Sequence, residues 1–320
     1  MSGFKPVAAV YGGANIDIQA RCRGPYRAGD SNPGEASITH GGVGRNIAEN
    51  LAGLGVPTEL VTVFGGDEQS SGLAEGCRRA GIEIGSSLFL PSEPCSRYIC
   101  LLDDDGTLVG AVAAMDSLEA FGPGELASRF GPGDAAEVVV LDANLPADTV
   151  ALAAERWKGK PLILDTVSVA KARRVAPVVG LFGLVKPNRA EARTLLSLDT
   201  SASSADPEAD ALESARGLLA RGVREAFVSL GAGGFLWASA KGAGFARPLA
   251  MPVVNVSGAG DAATAALAWA AARGLDTETK ARYAVAAASV CAADERAVAA
   301  GVSAERLSEL IQGVACERIA

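Results

Sequence analysis

Asp261 ends a loop of small residues, Asn255-Val256-Ser257-Gly258-Ala259-Gly260, and opens an Ala-rich run that starts Ala262-Ala263. Gly258, Ala259 and Gly260 let the backbone approach a ligand closely, and the free N–H groups of a helix N-terminus attract an anion such as phosphate. A carboxylate at that place repels phosphate, unless it takes the proton of a hydroxyl attacking that phosphate while Mg²⁺ offsets the charge. The combination points to phosphoryl transfer with Asp261 as the base. Two plainer readings stand beside it. Asp in a first helical turn is an ordinary cap or dipole partner. Residues 258–263 also fit the dinucleotide pattern G-x-G-x-x-A, although that fingerprint belongs in an early βα turn and this one lies late in the chain.

The elements around this loop follow from the apolar pattern. Leu249, Met251, Val253 and Val254 form an extended apolar run before it, and the helix after it reaches about Arg273, where Gly274 stops it. Short apolar runs at 6–11, 60–64, 87–90, 137–142, 161–165, 181–186 and 226–230 read as strands, with a helix over 71–80 closed by Gly81. Ligands of an open α/β sheet gather outside the carboxyl ends of its strands. At the end of the first, Asn15 and Asp17 point the same way from an extended segment, as a grip on sugar hydroxyls or as a polar turn. Gly41-Gly42-Val43-Gly44-Arg45-Asn46 opens a second helix, with Ile47, Leu51 and Leu54 on one face and Gly55 at its end. This is no Walker A loop, because the Lys-Ser/Thr pair is missing. His40 beside it, the only histidine, reads as a packing residue.

Three later strands end in Asp142-Ala143-Asn144, Asp165-Thr166-Val167-Ser168 and Lys186-Pro187-Asn188-Arg189-Ala190-Glu191, and would line one rim. Ser168 and Asn188 are good N-caps, and Glu191 either completes a capping box with Asn188 or serves Mg²⁺ and phosphate. Gly231-Ala232-Gly233-Gly234, ahead of an apolar run at 235–238, is either a backbone approach to a nucleotide or a plain hairpin. Residues 198–210 read as a polar loop. The runs 97–102 and 107–113, joined by Asp103-Asp104-Asp105-Gly106, form a hairpin whose aspartates are a solvated turn rather than a metal site. With residues 35–39 the hairpin makes a small β-sheet over the site, a lid that keeps water from ATP.

Length suits one large α/β domain or two small ones, and 49% hydrophobic residues with 21% charged ones are ordinary for a globular protein. A net charge of −8 argues against nucleic acid polymers as partners, since phosphate backbones need a surplus of Lys and Arg. Six cysteines without a C-x-x-C pair, and a single histidine, cannot assemble a zinc cluster and fit free thiols in a reducing cytosol. With no signal-peptide h-region at Met1 to Pro6 and no apolar run of membrane-spanning length, a cytoplasmic protein is expected.

Taken together, these motifs resemble the ribokinase, or PfkB, family of carbohydrate and nucleoside kinases. The resemblance runs from Gly12-Gly13-Ala14-Asn15-Ile16-Asp17 through Gly41–Asn46, Lys186-Pro187-Asn188 with Glu191 and Ser229-Leu230-Gly231 to Gly258-Ala259-Gly260-Asp261. It implies a single domain over 1–320, a three-layer α/β/α fold with a mostly parallel central sheet and a small β-sheet lid from about 14–40 and 95–117. ATP is the implied co-substrate, with Mg²⁺, and the acceptor a small nucleoside or sugar. Asp261 would then be the catalytic base, and the N–H groups from Gly258 through Ala259 and Gly260 to Asp261 an anion hole. Asn15, Asp17, Gly42 and Asn46 would hold the sugar. Asn188 and Glu191 would serve phosphate and, indirectly, Mg²⁺, while Ser229, Gly231, Gly234 and Gly258 line the ATP cleft.

Residues 30–34, the Asp165-Thr166-Val167-Ser168 turn with Lys171, and the Asn255-Val256 pair resemble nucleoside-phosphorylating members in particular. Ser31, Asn32, Asn144 and Lys171 are then candidates for reading base or ribose. One departure is Asn255-Val256 where much of the family has Asp-Thr, which argues against activation by a monovalent cation such as potassium through that Asp. An apolar lid edge could pair between subunits, so a homodimer is expected. Kinases of ribose, adenosine or fructose, and a non-catalytic nucleoside sensor, are the alternatives on the same fold.

Overall fold

The structure, a computed structural model, describes residues 7–198 and 206–319. Along the chain, β1 (Ala8–Tyr11), β2 (Asn15–Cys22) and β3 (Gly34–Gly41) precede α1 (Val43–Gly53). Next come β4 (Thr58–Val61), β5 (Val63–Phe64), α2 (Glu68–Arg79), β6 (Ile82–Glu83), β7 (Leu88–Phe89), β8 (Arg97–Leu102) and β9 (Leu108–Ala114). Short helices α3 (Pro123–Ala127) and α4 (Phe130–Ala135) lead to β10 (Val138–Asp142), α5 (Ala147–Trp157), β11 (Leu162–Asp165) and α6 (Val169–Val175). After β12 (Leu184–Lys186) and α7 (Arg189–Leu195) follow α8 (Pro207–Ala220), β13 (Glu225–Ser229), β14 (Phe235–Ser239) and β15 (Gly242–Ala246). The chain closes with α9 (Ala259–Ala272), α10 (Thr277–Ala292), α11 (Ala304–Leu310) and β16 (Cys316–Ile319).

The fully apolar strands make the centre of a ten-stranded sheet, ordered β16-β15-β14-β13-β12-β11-β10-β1-β4-β6, which is parallel from β13 to β6 and antiparallel beyond. A strand buried on both faces has no polar alternation to show, and β10, Val-Val-Val-Leu-Asp, is buried throughout. Its Val138 and Val140 face one core with α1, α9 and α10, while Val139 and Leu141 face a second with α5, α6, α7 and α8. Three layers, α/β/α, result. The alanines of α9 have a purpose here. Ala262 to Ala270 are all buried, and side chains of one carbon let this helix lie close to both α1 and α10.

A separate sheet, ordered β3-β2-β8-β9, covers the carboxyl-end side of β1, since β2 starts where the loop after β1 ends. Its β2 and β3 are antiparallel from Asn15↔Gly41 to Cys22↔Gly34, and β2 runs parallel to β8. Arg97 on β8 anchors it, donating from Nη2 to Asp67 Oδ2 at 2.6 Å and from Nε to Gln69 Oε1 at 2.8 Å. Asp67 also caps α2. The outer face keeps Ile38 and Val112 61% and 62% exposed.

Several boundaries differ from the sequence pattern. The run at 60–64 is two strands in two sheets, because Thr62 leaves the β4 ladder to accept from Leu88 N and donate its own N–H to Ser87 Oγ. Leu249 to Val254 joins no sheet, and its Val253 and Val254 are 70% and 55% exposed. The strand expected over 181–186 begins only at Leu184, after a 3₁₀ turn. Of the polar loop at 198–210, residues 199–205 lie outside the described residues, as does Pro6, and Pro207 to Asp210 are already the first turn of α8, capped by Asp206.

Candidate active site

Strand order reverses at β1, whose neighbours are β4 on one side and β10 on the other, and such a switch point leaves a crevice at the carboxyl ends. The crevice is filled by Asp142. Its Oδ2 accepts from Gly13 N at 2.8 Å and its Oδ1 from Asn144 N at 2.9 Å, which binds the loop after β1 to the loop after β10. Burial pushes this carboxyl up to about 6 despite those hydrogen bonds. Asn144 is buried alongside, its amide against the backbone of Gly13.

Register then places the last residues of three strands side by side, Asp142 against Asp165 and Asp165 against Lys186. Asp165 Oδ2 accepts from Thr264 Oγ1 at 2.7 Å and lies 3.3 Å from Lys186 Nζ. Thr264 is one turn into α9, so the hydroxyl pins the start of that helix over the strand ends. Burial works against charge on Lys186, yet Asp165, Glu191 and Asp261 together hold its ammonium above the ordinary lysine value. The same Nζ is 3.3 Å from the point where a Cβ on Gly260 would sit, so a cation faces the first turn of α9.

No side chain caps α9. Its N-cap is Gly258 in the left-handed region, φ 78°, where a Cβ would lie 1.8 Å from the carbonyl oxygen of Ala297. Asp261, in the first turn, accepts from Asn46 Nδ2 on α1 at 2.7 Å. The residue is partly open to solvent, as a proton acceptor for a substrate must be. Its carboxyl is nonetheless pushed up to about 8, first by loss of water and then by the charge of Asp165, against the pull of Asn46 and Lys186. An uncapped helix N-terminus, a buried ammonium and a carboxyl of raised pKa can together hold a phosphoryl group and accept a proton beside it.

Asn15 and Asp17 do share a face of β2. Asn15 Nδ2 donates to Asp17 Oδ1 at 2.6 Å, and desolvation raises the Asp17 carboxyl above its usual range. Gly42 is the N-cap of α1 with φ 99°, tight against Gly13 and Ala14, which brings Asn46 to the same crevice. After β11, Val167 has φ 63° and Ser168 N bonds back to Thr166 O at 2.6 Å, a strained γ-turn for a β-branched residue. Thr166 Oγ1 thereby reaches Glu191 Oε2 at 2.7 Å. Glu191 forms the full capping box with Asn188, so both its carboxylate oxygens already accept hydrogen bonds. Lys171 is half-buried in the first turn of α6, where Ser168 caps the helix by accepting from Lys171 N.

Ser31 and Asn32 are not brought to Asp261 within the chain. They stand in the turn between β2 and β3, where Asn32 accepts from Arg27 N and donates to the carbonyls of Arg27 and Asp30. Seven steps along β2 separate Asn15 from Cys22, roughly 23 Å. Asn188 and Ser229 do meet, as a parallel bridge between the ends of β12 and β13. From there an apolar cavity of about 350 Å³ opens, lined by Ser229, Gly231, Gly234, Leu249, Met251 and Val253 among others, and by Ala259 and Gly260 at the start of α9. Gly231 to Gly234 is a hairpin turn, and Gly231 and Gly234 also line this cavity. In the sequence, Asp165 and Lys186 are expected only as strand ends lining a rim, and Thr264 carries no role at all.

The family model for "pfkB family carbohydrate kinase" matches residues 6–302. The chain belongs to the pfkB family of carbohydrate kinases. Pseudouridine kinase of Escherichia coli (strain K12) is 30% identical over 313 residues, 98% of each chain. Among solved structures, a carbohydrate kinase from Agrobacterium tumefaciens superposes with a TM-score of 0.83 at 28% identity, covering 98% of this chain and 99% of that one. Arabidopsis thaliana ribokinase complexed with ribose and ATP gives 0.78 at 23%, covering 96% and 99%, a likeness of fold. As a pfkB-family kinase, the protein phosphorylates a small sugar or nucleoside. Among the described residues no helix is long and apolar enough to cross a membrane.

Proposed function

We propose that this kinase transfers the γ-phosphoryl group of ATP to the 5′-hydroxyl of pseudouridine, giving pseudouridine 5′-phosphate and ADP. The observation that carries the chemistry is Asp261 in the first turn of an uncapped helix, hydrogen-bonded to Asn46 and facing Lys186. Asn15, Asp17, Gly42 and Asn46 hold the ribose with its 5′-hydroxyl toward Asp261. Asp261 takes the hydroxyl proton as oxygen bonds to the γ-phosphorus and the bond to the β-phosphate oxygen breaks. The N–H groups from Gly258 to Asp261, with the Lys186 ammonium, stabilise charge on the transferring group. The adenosine end occupies the apolar cavity beyond Ser229, Gly231 and Gly234.

Magnesium fits this arrangement as a cation carried by the nucleotide. Among the described residues no three acidic, histidine or cysteine side chains gather around one point. Glu191 and Asn188 stand at the phosphate rim with their polar atoms already engaged, so their hold on the ion is indirect, through water. Bound there, Mg²⁺ supplies neutralisation of phosphate charge.

The likeness to pseudouridine kinase across the whole chain supports the substrate, as do Ser31, Asn32, Asn144 and Lys171 as groups for base and ribose. The four-stranded sheet acts as a lid. A homodimer on this reading would cover the exposed Ile38 and Val112 of the small sheet. ADP release from MgATP, measured with pseudouridine, uridine, adenosine, ribose and fructose in parallel, tests the reading. Turnover selective for pseudouridine supports it; turnover on another acceptor keeps the mechanism and discards the base-reading residues. Silence across the panel with a bound nucleoside would favour a sensor.

A further inference from the structure

Arg45 has no part in the chemistry above, yet it is buried at 8% exposure directly behind it. Its Nη1 donates to the His40 carbonyl at 2.7 Å and to Asn46 Oδ1 at 2.9 Å, while Nη2 pairs with Glu49 one turn along α1. His40 is the residue before Gly41 at the end of β3, where the small sheet joins α1. Asn46 in turn gives its Nδ2 to Asp261.

A guanidinium can only donate, so Asn46 must turn its oxygen toward Arg45, and the other half of the amide, the NH₂, is left facing Asp261. The reversed amide would set its oxygen against the Asp261 carboxylate and its NH₂ against the Arg45 guanidinium, acceptor facing acceptor and donor facing donor. Burying a guanidinium is costly, and Glu49 with the nearby carboxylates of Asp17 and Asp261 offsets that cost. We propose that Arg45 is a positioning residue: it locks the Asn46 amide with Nδ2 toward Asp261 and ties that lock to the root of the small sheet through the His40 carbonyl. A displacement of the small sheet about Gly41 and Gly42 is thereby passed to the group that orients the base. The inference rests on the reading of Asp261 as base.

The test compares wild type with Arg45→Lys and with Arg45→Met combined with Glu49→Gln, the double variant leaving no unpaired charge at the half-buried position 49. Steady-state kcat and KM for acceptor and ATP are measured against pH, with melting temperature as the check on folding. Asp261 is faced by Asn46 and Arg45 from α1, Asp142 from β10, Asp165 from β11, Lys186 from β12 and Cys291 from α10. Only the α1 contribution changes in these variants. Loss of the oriented donor favours the protonated form of Asp261, so the acid limb of kcat/KM moves to higher pH by about one unit or more. kcat falls roughly 10- to 100-fold, with a smaller change in KM for ATP.

Arg45→Lys keeps the charge but lacks the fork that reaches His40 and Asn46 together, and it retains most of the defect. A folded double variant with wild-type kcat and acid limb would overturn the proposal, and so would full rescue by Arg45→Lys, which would reduce the role to charge. Asp261→Asn separates the two readings. If it is inactive while the Arg45 variants are normal, only this inference fails; if it turns over normally, the base assignment fails first.

Discussion

Asn46 Nδ2 and Asp261 Oδ2 meet at 2.7 Å across 215 positions of sequence. One residue opens the helix that follows the small sheet, and the other opens the helix that follows the apolar cavity. The contact is made from two helices whose N-termini converge on one crevice, and in the proposed reaction it would set the acceptor's binding residues against the phosphoryl site. An amide donor here also restrains a carboxyl that burial and Asp165 would otherwise raise further.

That carboxyl gives the pH dependence its sign. As the proposed base, Asp261 would act only when ionised, so kcat/KM should climb with pH through a limb near 8 and fall away on the acid side. The stability sign is the opposite one. A folded pKa above the unfolded value means protons are taken up on folding, and stability declines as pH rises from about 4 toward 8. Asp261→Asn should therefore lose nearly all turnover while its melting temperature gains on wild type by a few degrees across that window. Thermal melts of both proteins over pH, showing a constant difference, would contradict the raised carboxyl.

Lys186→Met removes the cation facing the first turn of α9 and leaves Asp165 buried without its ion-pair partner. We expect kcat to fall by about 10²- to 10³-fold, the scale of one lost group that stabilises transition-state charge. Stability should drop by about 3 kcal/mol from the unpaired carboxylate. Chemical denaturation and kinetics on the same preparation check both. A variant with normal kcat would remove Lys186 from the phosphoryl site.

Gly258→Ala and Gly274→Ala form a matched pair. Both residues have positive φ, 78° and 67°, but a Cβ at 258 strikes the Ala297 carbonyl while nothing lies within 4 Å at 274. The change at 274 should cost about 1 kcal/mol, the ordinary penalty of that backbone region. The change at 258 should cost several times more and abolish turnover, because the loop must shift away from the phosphoryl site. Equal melting temperatures for the two variants would show that the 258 loop yields freely.

Monovalent cations should not stimulate this enzyme. Asn255 Oδ1 accepts from Ser257 N, and its Nδ2 donates to the Glu295 carbonyl, both at 2.9 Å, so a neutral amide already joins the loop before α9 to the turn after α10. Turnover in potassium, sodium and choline salts of equal ionic strength should be the same. Asn255→Asp loses the donor to Glu295, should destabilise by about 1–3 kcal/mol, and should recover partly in potassium.

The helix start at Asp261 and its glycines was legible in the sequence because small residues ahead of an Ala-rich run mark a loop feeding a helix. The small sheet was legible as well, through strand-length runs and an Asp-Gly turn. Lys186 was not. A lysine at the end of a strand reads as a solvated residue, and only Asp165, held in place by Thr264 from a helix far along the chain, makes it an internal charge. Leu249 to Val254 misled in the other direction: its apolar residues serve a cavity and leave two valines exposed, so apolarity did not mean a sheet position. Thr62 broke a strand by hydrogen bonds to Ser87 and Leu88, contacts that no local pattern contains.

The strained turn at Val167 has a consequence for how the enzyme tolerates change. A β-branched residue at φ 63° persists only while its surroundings hold it, and those surroundings are Asp165, Thr166 and Glu191 beside the ends of β11 and β12. Glycine there would relieve the backbone strain but widen the conformations open to the turn that aims Thr166 at Glu191. Variation toward greater thermal robustness at this turn thus runs against the order of the rim, and the two properties are set in opposition by a single peptide unit.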